Sequence, residues 1–195
     1  MKVCFCSIIF NRDICSWKIL SCDETLVGGV GHIVEIDESA LTSRKYHRGK
    51  VVKRGGVPVT TWILGMIDQE TKQSVIYHVH KRDAKTLIPL IKKHVKPLTT
   101  IWTDCWKAYS SLDKLGYIHE TVDHSKNFKS ETGVCTNFIE GHWRKLKMYI
   151  RSKNVLSSKF LFEYVDEFLW AHKFGFDPYS KFQNMLCHIR EKYCK

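Results

Sequence analysis

The sequence lacks paired cysteines. Its eight cysteines, at positions 4, 6, 15, 22, 105, 135, 187 and 194, nowhere form a C-x-x-C knuckle. A zinc ribbon needs two thiolates from one tight turn, and Cys4-Phe5-Cys6 does not supply them. Dispersed cysteines without a secretory leader read as free thiols, so neither structural zinc nor a disulfide is expected. Long apolar runs are missing too. The longest uncharged apolar stretch, Val3 to Phe10, is far too short to span a bilayer. Asn11-Arg12-Asp13 follows at once with no small-residue cleavage site, which argues against a signal peptide. Glycine (11) and proline (4) are too few for a collagen-like or low-complexity chain, and no internal repeat is visible. What remains is ordinary: 195 residues, 44% hydrophobic and 26% charged, enough for one domain with appendages.

Acid is scarce where it matters. Thirty-one basic residues against 20 acidic give a net charge of +11. Residues 1–40 hold 3 basic and 6 acidic side chains, and the remaining 28 and 14 make the rest strongly basic. Such a body favours a polyanionic partner, most simply nucleic acid; the alternative is a protein that is merely basic. No acid lies between Glu38 and Asp68, while Arg44, Lys45, Arg48, Lys50, Lys53 and Arg54 form a basic loop there.

Periodicity predicts an α/β fold. His32 to Asp37 reads as a strand entered from Gly28-Gly29-Val30-Gly31. Val59 to Ile67 and Ser74 to Val79 read as a hairpin across Asp68 to Lys72. Asp83 to Val95 has helical spacing, with Pro89 either in the first turn or kinking it. Thr99 to Thr103 is a strand, Trp106 to Leu115 a helix stopped by Gly116, and Tyr117 to Val122 a fifth strand. Helices follow over 137–151, 158–174 and 178–193, the last started by Asp177-Pro178. Three strands, helix, strand, helix, strand and then helices describe a mixed sheet flanked by helices. The six tryptophans and the aromatic-rich 158–174 helix read as core before they read as base-stacking platforms.

Asp37 and Asp104 each close a strand, at the carboxyl end where α/β sheets collect ligands and catalytic groups. Either alone is equally well a turn acid. Around Glu140, the positions Ile139, Trp143, Leu146 and Ile150 form a core stripe at 100° per residue. Glu140, Arg144, Lys147 and Arg151 share a neighbouring face over about 16 Å of axis. A competing reading makes Asn137 an N-cap with Glu140 at N3, and the cations a solvated face. Three carboxylates meeting there would bind Mg²⁺ or Mn²⁺, and two such ions can clamp both oxygens of a phosphodiester displacement. Glu35, by period 2, shares Asp37's face and either touches that metal shell or makes a peripheral ion pair. His124 reads as a hydrogen-bonded histidine more than as a site residue.

Several blocks together resemble the DDE transposases of the Merlin superfamily and their bacterial ISXO-like insertion-sequence relatives. They are Val34-Glu35-Ile36-Asp37-Glu38-Ser39, Lys45-Tyr46-His47-Arg48-Gly49, Trp102 to Tyr109, Val122-Asp123-His124-Ser125 and Thr136 to Trp143. The resemblance implies an RNase H-like catalytic domain, 32–175, with Asp37, Asp104 and Glu140 as catalytic metal ligands for Mg²⁺ or Mn²⁺. The 35 residues between Asp104 and Glu140 match the spacing of that group. Lys147 falls on the position such enzymes use to grip terminal phosphates. It further implies double-stranded DNA as partner (transposon ends and target), a homo-oligomer on DNA, and no membrane. Residues 1–31 form a short segment in place of the family's DNA-binding region, and 176–195 a helical tail. The alternatives are a non-enzymatic DNA-binding remnant, or domesticated protein, and an RNase H-like nuclease. The basic clusters do not decide between a bacterial cytoplasm and a nucleus.

Overall fold

The computed structural model describes residues 5–22, 25–41, 53–54, 57–58, 60–122, 135–153, 160–175 and 177–194. They pack as two units, one of residues 25–147 and one joining the N-terminal 24 residues to 148–195. The division falls inside a helix.

The first unit is built on a five-stranded sheet: β1 (Ile33–Ala40), β4 (Trp62–Asp68), β5 (Ser74–Val79), β6 (Thr100–Asp104) and β7 (Ile118–Val122). The short β2 (Lys53–Arg54) and β3 (Val57–Pro58) pair only with each other. The order is β5-β4-β1-β6-β7. The first three strands run antiparallel, β6 is parallel to β1, and β7 is parallel to β6. This is the mixed sheet that the strand order predicts, in the RNase H-like arrangement that the family resemblance implies. A hairpin joins β4 to β5, and the crossover through helix α2 (Ala84–His94) leads from β5 to β6, which pairs parallel with β1.

Alternation assigns the faces. Val34, Ile36, Leu64, Met66 and Ile101 form one core with Leu87 and Ile91 of α2. Leu87 and Ile91 are completely buried, each contributing about 1.5–3 kcal/mol. Asp83 caps α2 through the Thr86 N–H at 2.9 Å, and Lys92 and Lys93 complement its C-terminal dipole. The helix runs on through Pro89, in its second turn, giving up one backbone hydrogen bond.

The predicted 106–115 helix is instead two 3₁₀ turns, Lys107–Tyr109 and Asp113–Leu115. Tyr109, Leu112 and Leu115 each donate their N–H to the residue three before. The buried pair Tyr109 and Leu112 recurs at that same interval, which suits three residues per turn better than 3.6. Gly116 ends the segment at φ 87°, a conformation that favours glycine.

The second unit is helical: α1 (Phe5–Ser21), the last turn of α3 (Asn137–Ser152), α4 (Leu161–Phe174) and α5 (Pro178–Tyr193). Helix α1 was not anticipated from the sequence. It packs on α4 and α5 through buried Ile14 and Cys15. Buried Arg12 stacks over the Tyr164 ring at 4.4 Å, and the Trp170 indole donates to His188 Nδ1 at 2.9 Å.

Candidate active site

The parallel register of β1 and β6 pairs Glu35 with Trp102. The pairing ends there; Asp37 and Asp104 each stand two residues further along, and both line the same recess. Both side chains point away from the α2 core, because Ile36 and Ile101 on the alternate positions face it.

Helix α3 is laid along β1 by three hydrogen bonds. The Ile139 N–H donates to Glu35 Oε2 at 2.8 Å, Trp143 Nε1 to Asp37 Oδ2 at 2.9 Å, and Lys147 Nζ to Ser39 Oγ at 2.6 Å. Each step is two residues of strand, about 6.7 Å, against four of helix, about 6.0 Å, so the two ladders stay in step. Close approach is possible because Gly65, paired with Asp37 across β1 and β4, has no side chain. A Cβ there would lie 2.3 Å from the Trp143 ring.

The capping-box reading fails in an informative way. Thr136 C=O accepts the Glu140 N–H at 3.1 Å, so Thr136 is the N-cap and Glu140 lies beyond N3. The orphan N–H groups of Phe138 and Ile139 are met by the wholly buried Glu35 instead. Glu35 also accepts from Gln69 Nε2 at 2.5 Å. It is a helix cap delivered from a strand. Glu140 is left exposed and unengaged in capping.

Asp37, Asp104, Thr136 and Glu140 line one recess of about 220 Å³. The three predicted acids are therefore brought together. Burial pushes the Asp37 carboxyl above the ordinary aspartate range; the Trp143 indole opposes this, and the charges of Asp104 and Glu140 reinforce it. Glu38, on the opposite face, is raised by burial despite a 2.6 Å hydrogen bond from the Tyr109 hydroxyl. Glu35 is also raised by burial, against its hydrogen bonds from Ile139 and Gln69. Among the described residues, no three His, Cys, Asp or Glu side chains close into a metal cage. The donor set nevertheless suits a hard divalent cation: it consists of carboxylate oxygens, and the charges of Asp104 and Glu140 add to the rise in Asp37's proton affinity.

Arg144 and Arg151 are exposed, as their helix phase predicts. Lys147 is not off the core stripe as expected. It lies half-buried with its ammonium on Ser39, because 139, 143 and 147 advance only 40° per step. Arg44, Lys45, Arg48, Lys50 and His124 lie outside the described residues. Of Lys53 and Arg54, the backbone of β2 alone is described.

The ISXO2-like transposase domain matches residues 26–172. The chain belongs to that family. An uncharacterized transposase-like protein of Haemophilus influenzae is 29% identical over 85 residues, covering 44% of this chain and 68% of that protein. Among solved structures, the HTLV-2 integrase catalytic core domain in complex with magnesium (trimeric form) has a TM-score of 0.47 at 15% identity. That match covers 75% of this transposase-family chain and 86% of the other. The simian T-cell lymphotropic virus intasome in complex with PP2A regulatory subunit B56 gamma has a TM-score of 0.46 at 14% identity, covering 77% and 55%.

Proposed function

We propose that this chain is the catalytic domain of a DNA transposase, which hydrolyses a phosphodiester at an element end and transfers the freed 3′-hydroxyl into target DNA. The observation that carries the reading is the convergence of Asp37, Asp104 and Glu140, from three separate elements, on one recess. These residues would hold Mg²⁺ or Mn²⁺, and two bound ions would supply nucleophile activation and charge neutralisation at phosphorus.

The protein's own part is placement. Trp143 holds Asp37 Oδ2 through its indole N–H, and the Glu38 backbone N–H also donates to that carboxylate. Glu35 fixes the first turn of α3, and with it the position of Glu140. Arg144, Arg151 and the basic loop supply cations for phosphates, so binding of double-stranded DNA weakens with salt. Two element ends must be handled together, which a homo-oligomer assembled on DNA accomplishes. Among the described residues no helix is long and apolar enough to cross a membrane.

The reading is tested by incubating the protein with Mn²⁺, plasmid and labelled duplex ends carrying a free 3′-hydroxyl. Label joined covalently to plasmid supports strand transfer. Cleavage of RNA–DNA hybrids with no joining would point to a nuclease instead.

A further inference from the structure

Trp106 behaves unlike the tryptophans that fill the core. Trp143 and Trp170 are buried, whereas Trp106 is 48% exposed. It stands two residues after Asp104, and its backbone N–H donates to Asp104 Oδ1 at 3.0 Å. Its indole Nε1 donates to the Arg82 carbonyl at 3.4 Å. The Arg82 guanidinium carbon lies 3.8 Å from the centre of the half-buried Trp62 ring and 5.6 Å from that of Trp106. Two indoles and a guanidinium are thus gathered at the carboxyl end of β6, beside an acid that lines the recess.

A packing role accounts for Trp62 but not for an indole left about half in water. The surrounding charge narrows what such a ring would meet. Lys81, Arg82 and Lys107 are all exposed here. The nearby acids are Asp83, occupied as the α2 cap, the recess carboxylates, and Glu38, which is hydrogen-bonded to Tyr109. A guanidinium stacked on an indole keeps its N–H edges free for bidentate contact with phosphate. An aromatic face beside it accepts any base that offers its own face, which a base within a duplex stack does not.

We propose that Trp62, Arg82 and Trp106 form a single-nucleotide platform at the rim of the carboxylate recess: an unpaired base of the DNA end stacks on Trp106, and its phosphate meets Arg82. The proposal rests on the reading that the chain acts on DNA ends, and it adds that those ends are bound locally unpaired.

The test measures DNA binding without divalent ions, so that cleavage plays no part. A labelled blunt duplex is compared with the same duplex carrying a short unpaired extension at one end, by fluorescence anisotropy at several salt concentrations. The wild-type protein binds the extended end roughly tenfold more tightly. Trp106→Ala abolishes that preference and leaves blunt-duplex affinity unchanged, and Arg82→Ala lowers the salt slope on the extended end by about one contact. If circular dichroism shows that Trp106→Ala does not fold, Trp106→Phe and Trp106→Leu decide, the first keeping the preference and the second losing it. Equal affinity for the two ends, or a preference that survives Trp106→Ala or Trp106→Leu, overturns the platform alone. No salt-sensitive binding to either DNA overturns the platform together with the DNA reading beneath it.

Discussion

The Trp143 indole N–H donates to Asp37 Oδ2 at 2.9 Å, and the same ring rests against the bare backbone of Gly65. One side chain thus both fills the interface between sheet and helix and orients a carboxylate of the recess. Trp143→Ala opens a cavity and should cost about 3–5 kcal/mol in denaturant unfolding. Trp143→Phe keeps most of the volume and removes only the donor. It should cost less than half as much and raise the Asp37 pKa further, since the indole is the main group opposing that shift.

Neutralising Asp37 should stabilise the metal-free protein. Its carboxyl, like those of Glu35 and Glu38, binds its proton more tightly folded than unfolded. Their contribution to stability is therefore greatest below the ordinary carboxylate range and falls as pH rises through it toward the raised folded values. Asp37→Asn keeps an acceptor for Trp143 and removes the charge. At pH 7 without divalent ions its melting temperature should exceed the wild type's, by on the order of 2–4 °C if the relief is near 1 kcal/mol. The difference should vanish at pH 3.

Asp68 should behave in the opposite sense. It is buried, and hydrogen bonds from Thr71, Gly28, His32 and Glu70 outweigh that burial and hold its pKa down. Its stabilisation is present at neutral pH and lost as pH falls through the depressed value. Asp68→Ala should cost about 1.5–3 kcal/mol at pH 7 and clearly less at pH 3, by chemical denaturation.

Lys147 and Arg144 should separate binding from folding. Each substitution to alanine should lower the salt slope of duplex binding by about 0.9 if it removes one phosphate contact. Only Lys147→Ala should also reduce stability, by about 1 kcal/mol, because only Lys147 is tied to Ser39 on β1. Equal stability of the two variants would show that the Lys147–Ser39 contact contributes nothing to the fold.

Much of this fold was legible in sequence, for identifiable reasons. Strands β1, β4, β5, β6 and β7 carry β-branched runs bounded by turns. Asp104 closes β6 as expected, whereas β1 runs three residues past Asp37 to Ala40, because pairing with β4 continues through Trp62. The phase of α3 followed from Ile139, Trp143, Leu146 and Ile150, all buried. Helix α1 was missed because its apolar residues do not mark one buried face: Ile14 and Cys15 are buried, whereas Ile9, Phe10 and Leu20 are exposed. The role of Glu35 was half visible: its face could be read, but a strand carboxylate capping a helix 104 residues away is a tertiary fact. Lys147 was misjudged because a half-buried lysine bonded to a strand serine has the same helical angle as a solvent-facing one.

Joint action of Asp37, Asp104 and Glu140 on a phosphodiester is read out by nicking of supercoiled plasmid with Mn²⁺. The wild-type protein should nick only when the ion is present. Asp37→Asn, Asp104→Asn and Glu140→Gln, each folded by circular dichroism, should each abolish nicking. Undiminished nicking by folded Asp104→Asn would contradict that joint action.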